Sequence, residues 1–307
     1  MLAYTHLTAQ SNNAQNSSGV SVPAHSQQST PLPNYVRNPE YTLTGFGVYG
    51  GFDAGLHRAN FTYFSAFPQC CAPSSFGSAI GTGWAAGATF DHSLTNWLML
   101  DVRAGVSSGR VELAQTENML AITRAGRPEE LPIRFSNEIQ LTTIHFDPAL
   151  KVRLLPLPTT ITYAPSLYLS AGLGLRYFVG QRFSSKEMLM TDTVNFLLDN
   201  GRISNVRNSI DNQEIPLFNR LQVSPFLGLE SDIFLESEYP ANWVIAPYIR
   251  YYFGIQEMAT GLIAREKTGS PSSTPFNFRE STGSWRMDGA QAGLTFKYRL
   301  YYLQKHP

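Results

Sequence analysis

The sequence predicts an all-β protein, an eight-stranded antiparallel transmembrane β-barrel with long extracellular loops and short periplasmic turns. Three observations predict it. Apolar residues recur at every second position in stretches long enough to cross a bilayer as tilted strands. The face opposite them carries glycine and charge, where the wet face of a soluble sheet would carry Lys, Glu and Thr. The links between the stretches alternate between short and long.

Gly81–Val106 shows the pattern most clearly. Thr82, Trp84, Ala86, Ala88 and Phe90 form one face, opposite Gly81, Gly83, Ala85, Gly87, Thr89 and Asp91. After a break at His92–Asn96, Leu98, Leu100, Val102, Ala104 and Val106 resume the apolar face. Met99, Asp101, Arg103, Gly105 and Ser107 lie opposite. These are the second and third strands.

The first strand is Thr44–His57, with Val48, Phe52, Ala54 and Leu56 facing lipid and Tyr49, Asp53 and His57 facing inward. The fourth, Asn137–Leu154, starts with Ile139 and Leu141 and changes phase at Thr142–Thr143, which implies a bulge. Ile144, Phe146, Pro148, Leu150 and Val152 then face out, and His145, Asp147, Lys151 and Arg153 face in. The fifth, Ala164–Arg182, alternates Leu167, Leu169, Ala171, Leu173, Leu175 and Tyr177 with Ser166, Tyr168, Ser170, Gly172, Gly174 and Arg176. The sixth, Leu221–Leu235, sets Val223, Leu227, Leu229 and Ile233 against Gln222, Ser224, Glu230 and Asp232. The seventh, Trp243–Ile255, sets Ile245, Ile249, Tyr251 and Phe253 against Tyr248, Arg250 and Tyr252. The eighth, Trp285–Tyr302, sets Ala290, Ala292, Leu294, Phe296, Tyr298 and Leu300 against Gln291, Gly293, Thr295, Lys297 and Arg299. Pro148, Pro225 and Pro247 each imply a bulge or a strand end, because proline cannot donate to the ladder.

The short links are His92–Asn96, Leu155–Tyr163 and Glu236–Asn242. Those after strands one, three, five and seven are read as long polar loops, which places both termini in the periplasm. Residues 1–41 are rich in Ser, Asn, Gln and Pro and cannot bury a core, so they read as a disordered leader. Leu7–Gln10 reads as the remnant of a truncated signal peptide. The barrel is expected over residues 42–303, with 304–307 as a tail.

Composition agrees. Only 15% of residues are charged, 12% are aromatic and the formal net charge is zero, so electrostatics offers no argument for nucleic acid. No apolar run reaches the roughly twenty residues of a membrane helix. Trp84, Trp97, Trp243, Trp285, Tyr251, Phe253, Tyr298, Tyr301 and Tyr302 lie near strand ends and read as an aromatic girdle.

The opening Gly45–Phe52, the element Pro68-Gln69-Cys70-Cys71-Ala72-Pro73 and the Gly81–Gly109 hairpin resemble the outer-membrane-protein-A-like barrel family, in a variant with a Cys-Cys element in its first loop. The resemblance covers about the first third of the chain and implies a membrane anchor that displays its loops. The chain ends just after the last strand, so the peptidoglycan-binding domain of many members is not carried over. Expected partners are outer-membrane lipid and lipopolysaccharide, with other envelope proteins meeting the long loops. A transport channel or a lipid-modifying enzyme is the alternative. A lipocalin-type barrel would place apolar residues inside, against the pattern here.

The inward charges are Asp53, Asp101, Arg103, His145, Asp147, Lys151, Arg153, Arg176, Glu230, Asp232, Arg250, Lys297 and Arg299. An eight-stranded barrel is only wide enough for its own side chains, so these are expected to pair as a plug. The adjacent Cys70 and Cys71 admit a strained mutual bridge, a bridge to a partner, or free thiols in a loop. No P-loop, GxGxxG or His/Cys metal spacing is present in the sequence, and no cofactor or metal is expected. His57 is placed to face Ser107 or Ser108, although a lone histidine at a strand end is ordinarily a rim residue. Asp91-His92-Ser93 falls at the turn end, the wrong end for lipid chemistry at an outer rim.

Overall fold

The computed structural model describes residues 41–61, 63–64, 75–95, 97–122, 127–154, 166–191, 194–198, 200–215, 220–235, 242–266 and 278–303. Eight strands form the ring: β1 (Tyr41–Asn60), β2 (Ala79–Ser93), β3 (Leu98–Ile122), β4 (Pro128–Arg153), β5 (Ser166–Leu189), β6 (Leu221–Phe234), β7 (Trp243–Tyr252) and β8 (Phe278–Leu303). Each pairs antiparallel with the next, and β8 returns to β1 over its whole length, from Tyr41↔Leu303 to Asn60↔Ser284. Closure leaves no free edge in the membrane-spanning part, which a sheet in lipid requires.

Within the spanning part the faces fall as the alternation predicts. Leu173 and Leu294 are 50% and 59% exposed on the outside, while Asp101 and Arg103 are fully buried inside. Apart from Asp288, no charged side chain faces outward from Phe46 to Leu56 on β1, from Leu98 to Ser108 on β3, or at the matching levels of the other strands. Eleven residues of tilted strand span about 25 Å, the height of an apolar barrel belt. Asp288 is tied up by Arg58, the Tyr251 hydroxyl and the Gly254 N–H.

Glycine on the inner wall makes room for aromatic rings. Gly87 and Gly105 are cross-strand partners, and a Cβ at Gly87 would come within 2.8 Å of the Tyr49 hydroxyl.

Beyond the belt the strands continue, and this corrects the expected loops. The links read as long after the third strand and at Gln181–Asn219 and Gln256–Ser284 are largely sheet. β3 and β4 stay paired out to Ile122↔Pro128, so the link between them is short. β5 runs on to Leu189 and takes Val206–Glu214 as a partner, while Glu257–Glu266 pairs with the outer part of β8 and with Tyr63–Phe64. The interior of this long end is mainly apolar, with Asn137, Gln181, Ser185 and the Arg207-paired Glu187 also buried on the inner face. Val111, Leu113, Ile133, Phe135, Ile139, Phe178, Phe183 and Trp285 form one buried cluster there. Arg110, Glu112, Glu138 and Arg182 face out. Water now lies outside the wall, so the polarity of the two faces inverts while the alternation continues.

That inversion explains the apparent phase change in β4. Ile139, Leu141, Thr143, His145 and Asp147 all face inward; the chemistry of the inner face changes and the strand does not flip. A register shift does fall between Thr142 and Thr143, but the extra residue is Val179 on β5, where the inward face passes from Phe178 to Gln181. Pro148, Pro225 and Pro247 cause neither bulge nor strand end. Asp147 and Pro148 lack ladder partners on β5, yet Phe146↔Leu175 and Ala149↔Gly172 keep one register on either side. Pro225 and Pro247 sit opposite Leu173 and Leu294 in unshifted ladders. β2 continues through His92 to Ser93 instead of breaking at His92.

Trp285 is also reassigned. It is fully buried in the inner cluster and is not a girdle residue. Trp84 and Trp97 are exposed, and Trp243 packs on Phe296 and Tyr298 at 4.9 Å in each case. The side chains of Tyr301 and Tyr302 lie outside the description.

Two substitutions test the inversion. Leu173→Arg, in the belt, is expected to cost about 2–4 kcal/mol. Phe183→Ala, in the inner cluster, is expected to cost about 3–5 kcal/mol. Urea unfolding from lipid bilayers measures both, and full tolerance of either contradicts the assigned face.

Candidate functional site

The belt-level lumen collects charges from all eight strands because every second residue points into one narrow space. At its centre Lys151 on β4 reaches Asp91 at 3.1 Å, Asp101 at 2.9 Å and Glu230 at 2.9 Å. Lys297 on β8 bonds Asp91 at 2.7 Å and also Glu230. Arg103 donates to the other Glu230 oxygen at 2.5 Å and lies 4.0 Å over the Tyr248 ring. Arg250 donates to Asp101 and comes within 3.8 Å of Asp147, which also accepts from the Tyr252 hydroxyl at 2.7 Å. Four carboxylates and four cations thus share one buried cluster. Removing such charges from water is costly, and mutual pairing offsets the cost.

Two further pairs bracket the cluster. Arg299 bonds Asp232 toward the turn end, and Arg176 lies 4.0 Å from Asp53 toward the long end while stacking at 4.4 Å on Tyr252. His145 bonds the Tyr49 hydroxyl. Within this group Asp53, Asp91, Asp101, Asp147, Glu230 and Asp232 face Arg103, Lys151, Arg176, Arg250, Lys297 and Arg299, so the lumen is balanced in charge.

Most of the expected ion-pair residues are therefore brought together. Arg153 and His145, which bonds the Tyr49 hydroxyl instead of an acid, are the exceptions. Arg153 lies apart from the cluster. It stacks over Tyr168 at 5.6 Å and makes no ion pair among the described residues, because it sits at the turn-end mouth beyond the acids. Asp91, which is not among the inward charges expected from the sequence, bridges both lysines. The signal was present: Asp91 shares parity with Gly87 and Thr89 on the inward face of β2. Cys70 and Cys71 lie outside the described residues.

Above Asp53 and Arg176 a cavity of about 40 Å³ is lined by His57, Ser107, Thr143, Phe178 and Met287 among others. That is room for on the order of three waters. His57 and Ser107 do share this cavity, but each is engaged elsewhere. The His57 Nδ1 accepts from the Trp285 indole at 3.1 Å, and Ser107 bonds Thr143 at 2.7 Å. Asp91 belongs to the ion cluster, and His92 bonds Thr44 at 3.0 Å. Among the described residues no group of three or more His, Cys, Asp or Glu is arranged to hold a metal ion.

Fold and lumen together define a transmembrane β-barrel whose interior is occupied by its own side chains. No family model matches the chain, and no curated protein sequence matches it either. Solved structures similar to it include the outer membrane protein OprG from Pseudomonas aeruginosa, with 12% identity over 83% of this chain and 95% of that one, at a TM-score of 0.42. The attachment invasion locus protein Ail of Yersinia pestis shares 10% identity over 84% and 99%, at 0.26. The outer membrane protease OmpT from Escherichia coli shares 9% over 86% and 98%, at 0.28. Likeness at these levels assigns neither a family nor an activity.

Lys151→Met tests the cluster, since it leaves Asp91, Asp101 and Glu230 one cation short. The expected cost is about 3–5 kcal/mol. Denaturant titration of the refolded protein would expose an error if the variant matched the parent.

Proposed function

We propose that this chain is a structural outer-membrane β-barrel protein of a Gram-negative bacterium. It acts as a membrane anchor and display platform, alone or as a subunit of a larger envelope assembly. The observation that carries the reading is the filled interior: a charged cluster through the belt and an apolar core at the long end. In this reading the long end faces the exterior, both termini lie in the periplasm, and the outward surface of the long-end sheet meets lipopolysaccharide or other envelope proteins. The resemblance to outer-membrane-protein-A-like barrels supports the same role. An enzymatic reading would need His57 and Ser107 to act on each other; their bonds to Trp285 and Thr143 favour a structural part for both.

Planar-bilayer recording tests the reading. Purified protein is expected to show no stable porin-like conductance, because the cluster occupies the lumen. Large steady channels would replace the anchor with a transporter.

A further inference from the structure

We propose that Arg110, Gln140 and Arg182 form a binding site for the phosphorylated headgroup of a lipid in the outward leaflet. The inference rests on the membrane placement proposed above. These residues stand in one cross-strand row on the outer surface of β3, β4 and β5, with Arg110 opposite Gln140 and Gln140 opposite Arg182. The row is the first beyond the apolar belt. Below it, past Ser108, Thr142 and Gly180, lie Val179, Ile144 and Tyr177, all exposed and apolar. Adjacent strands are about 4.8 Å apart, so the two arginine backbones stand about 10 Å apart. A phosphate fits between two guanidinium groups at that spacing, with the Gln140 amide as a donor beneath it.

Each guanidinium is held from one side and keeps other N–H groups open. Arg110, 67% exposed, donates through Nη2 to Glu138, which sits farther from the belt on β4. Arg182 donates through Nη1 to Asn212 at 2.8 Å. The remaining donors suit the bidentate recognition of a phosphate.

The row belongs to a one-sided pattern. Arg58 and Arg286 are likewise outward residues bordering the belt at the long end. Among the described residues no arginine or lysine faces outward at the turn end. Arg58 and Arg286 stand directly opposite each other, an arrangement of like charges that a sheet avoids without an anion nearby; Asp288 and Glu257 supply carboxylates there. Between Arg110 and Arg182 the facing residue is the neutral Gln140; Glu138 pairs with Arg110 from the far side, while Glu214, opposite Arg182, is engaged by Arg220 and Gln181, so Arg182 makes no ion pair among the described residues and leaves a place for an anion from outside the chain. Its source is lipid, because the acyl chains of a headgroup seated here would run down over Ile144, Tyr177 and Val179.

The experiment uses the full chain in phosphatidylcholine nanodiscs doped with either bisphosphorylated or fully dephosphorylated lipid A, with retained lipid counted by native mass spectrometry. Bisphosphorylated lipid A is expected to be enriched on the order of tenfold around the protein and the dephosphorylated form not at all. Arg110→Gln with Arg182→Gln should remove the enrichment. Gln140→Glu places a carboxylate between the two arginines; it should fold at least as well as the parent and also lose the enrichment. Millimolar inorganic phosphate should not displace the lipid. Equal retention of both lipid A forms, or enrichment that survives in these variants, would overturn the site, and displacement by inorganic phosphate would overturn the lipid as occupant. A chain that inserts with a closed lumen but shows no phosphate preference defeats this inference alone. Failure of the parent to insert defeats the outer-membrane reading as well.

Discussion

One sheet here has to satisfy two solvents in succession. The alternation of side chains is fixed by backbone geometry and cannot be tuned along a strand, so only residue chemistry can respond when lipid gives way to water outside the wall. Every other feature follows from that constraint. Through the belt the outer face must be apolar, and the inner face is left to glycine, tyrosine and paired charge. Past the rim the outer face must be polar, and the inner face becomes an ordinary apolar core. β3 shows both regimes in one strand: Asp101 and Arg103 face inward below, Val111 and Leu113 above.

The two interiors differ in how they hold the barrel. The charged cluster is specific in geometry, since each carboxylate at its centre has at least two cations in reach and the loss of one leaves a charge uncompensated. The core at the long end gains from burial and close packing of Phe135, Phe178, Phe183 and Trp285. The boundary between them is the small cavity near His57, where neither regime fills the space completely.

The belt-level half of the fold was legible because its pattern is unusual: apolar faces such as Leu98–Val106 without charge, backed by glycine and acid–base residues. The same rule misread the long end. Arg110–Leu113 and Leu131–Phe135 alternate just as strictly, but with Arg110, Glu112 and Arg134 outward, so a rule that seeks lipid-facing strands reads them as polar loop. The supposed phase change at Thr142–Thr143 was the inversion itself. The lumen cluster was legible from parity, Asp91 included, whereas the identity of each partner depends on strand tilt and stagger, which no single strand encodes. Trp285 was misassigned because proximity to a strand end does not distinguish its inward parity from the outward parity of Trp243.

The central claim, a constant alternation with an inverting polarity, is tested most directly by spin labels placed singly along β3 from Leu98 to Ala114 in a bilayer, with Cys70 and Cys71 replaced by serine. Power saturation against oxygen and a water-soluble nickel chelate reads lipid and water exposure at each site. The account predicts oxygen access at even positions through Ser108, nickel access at even positions from Arg110 onward, and neither at odd positions throughout. A switch of the exposed positions from even to odd near residue 109, or oxygen access persisting through Ala114, would contradict it.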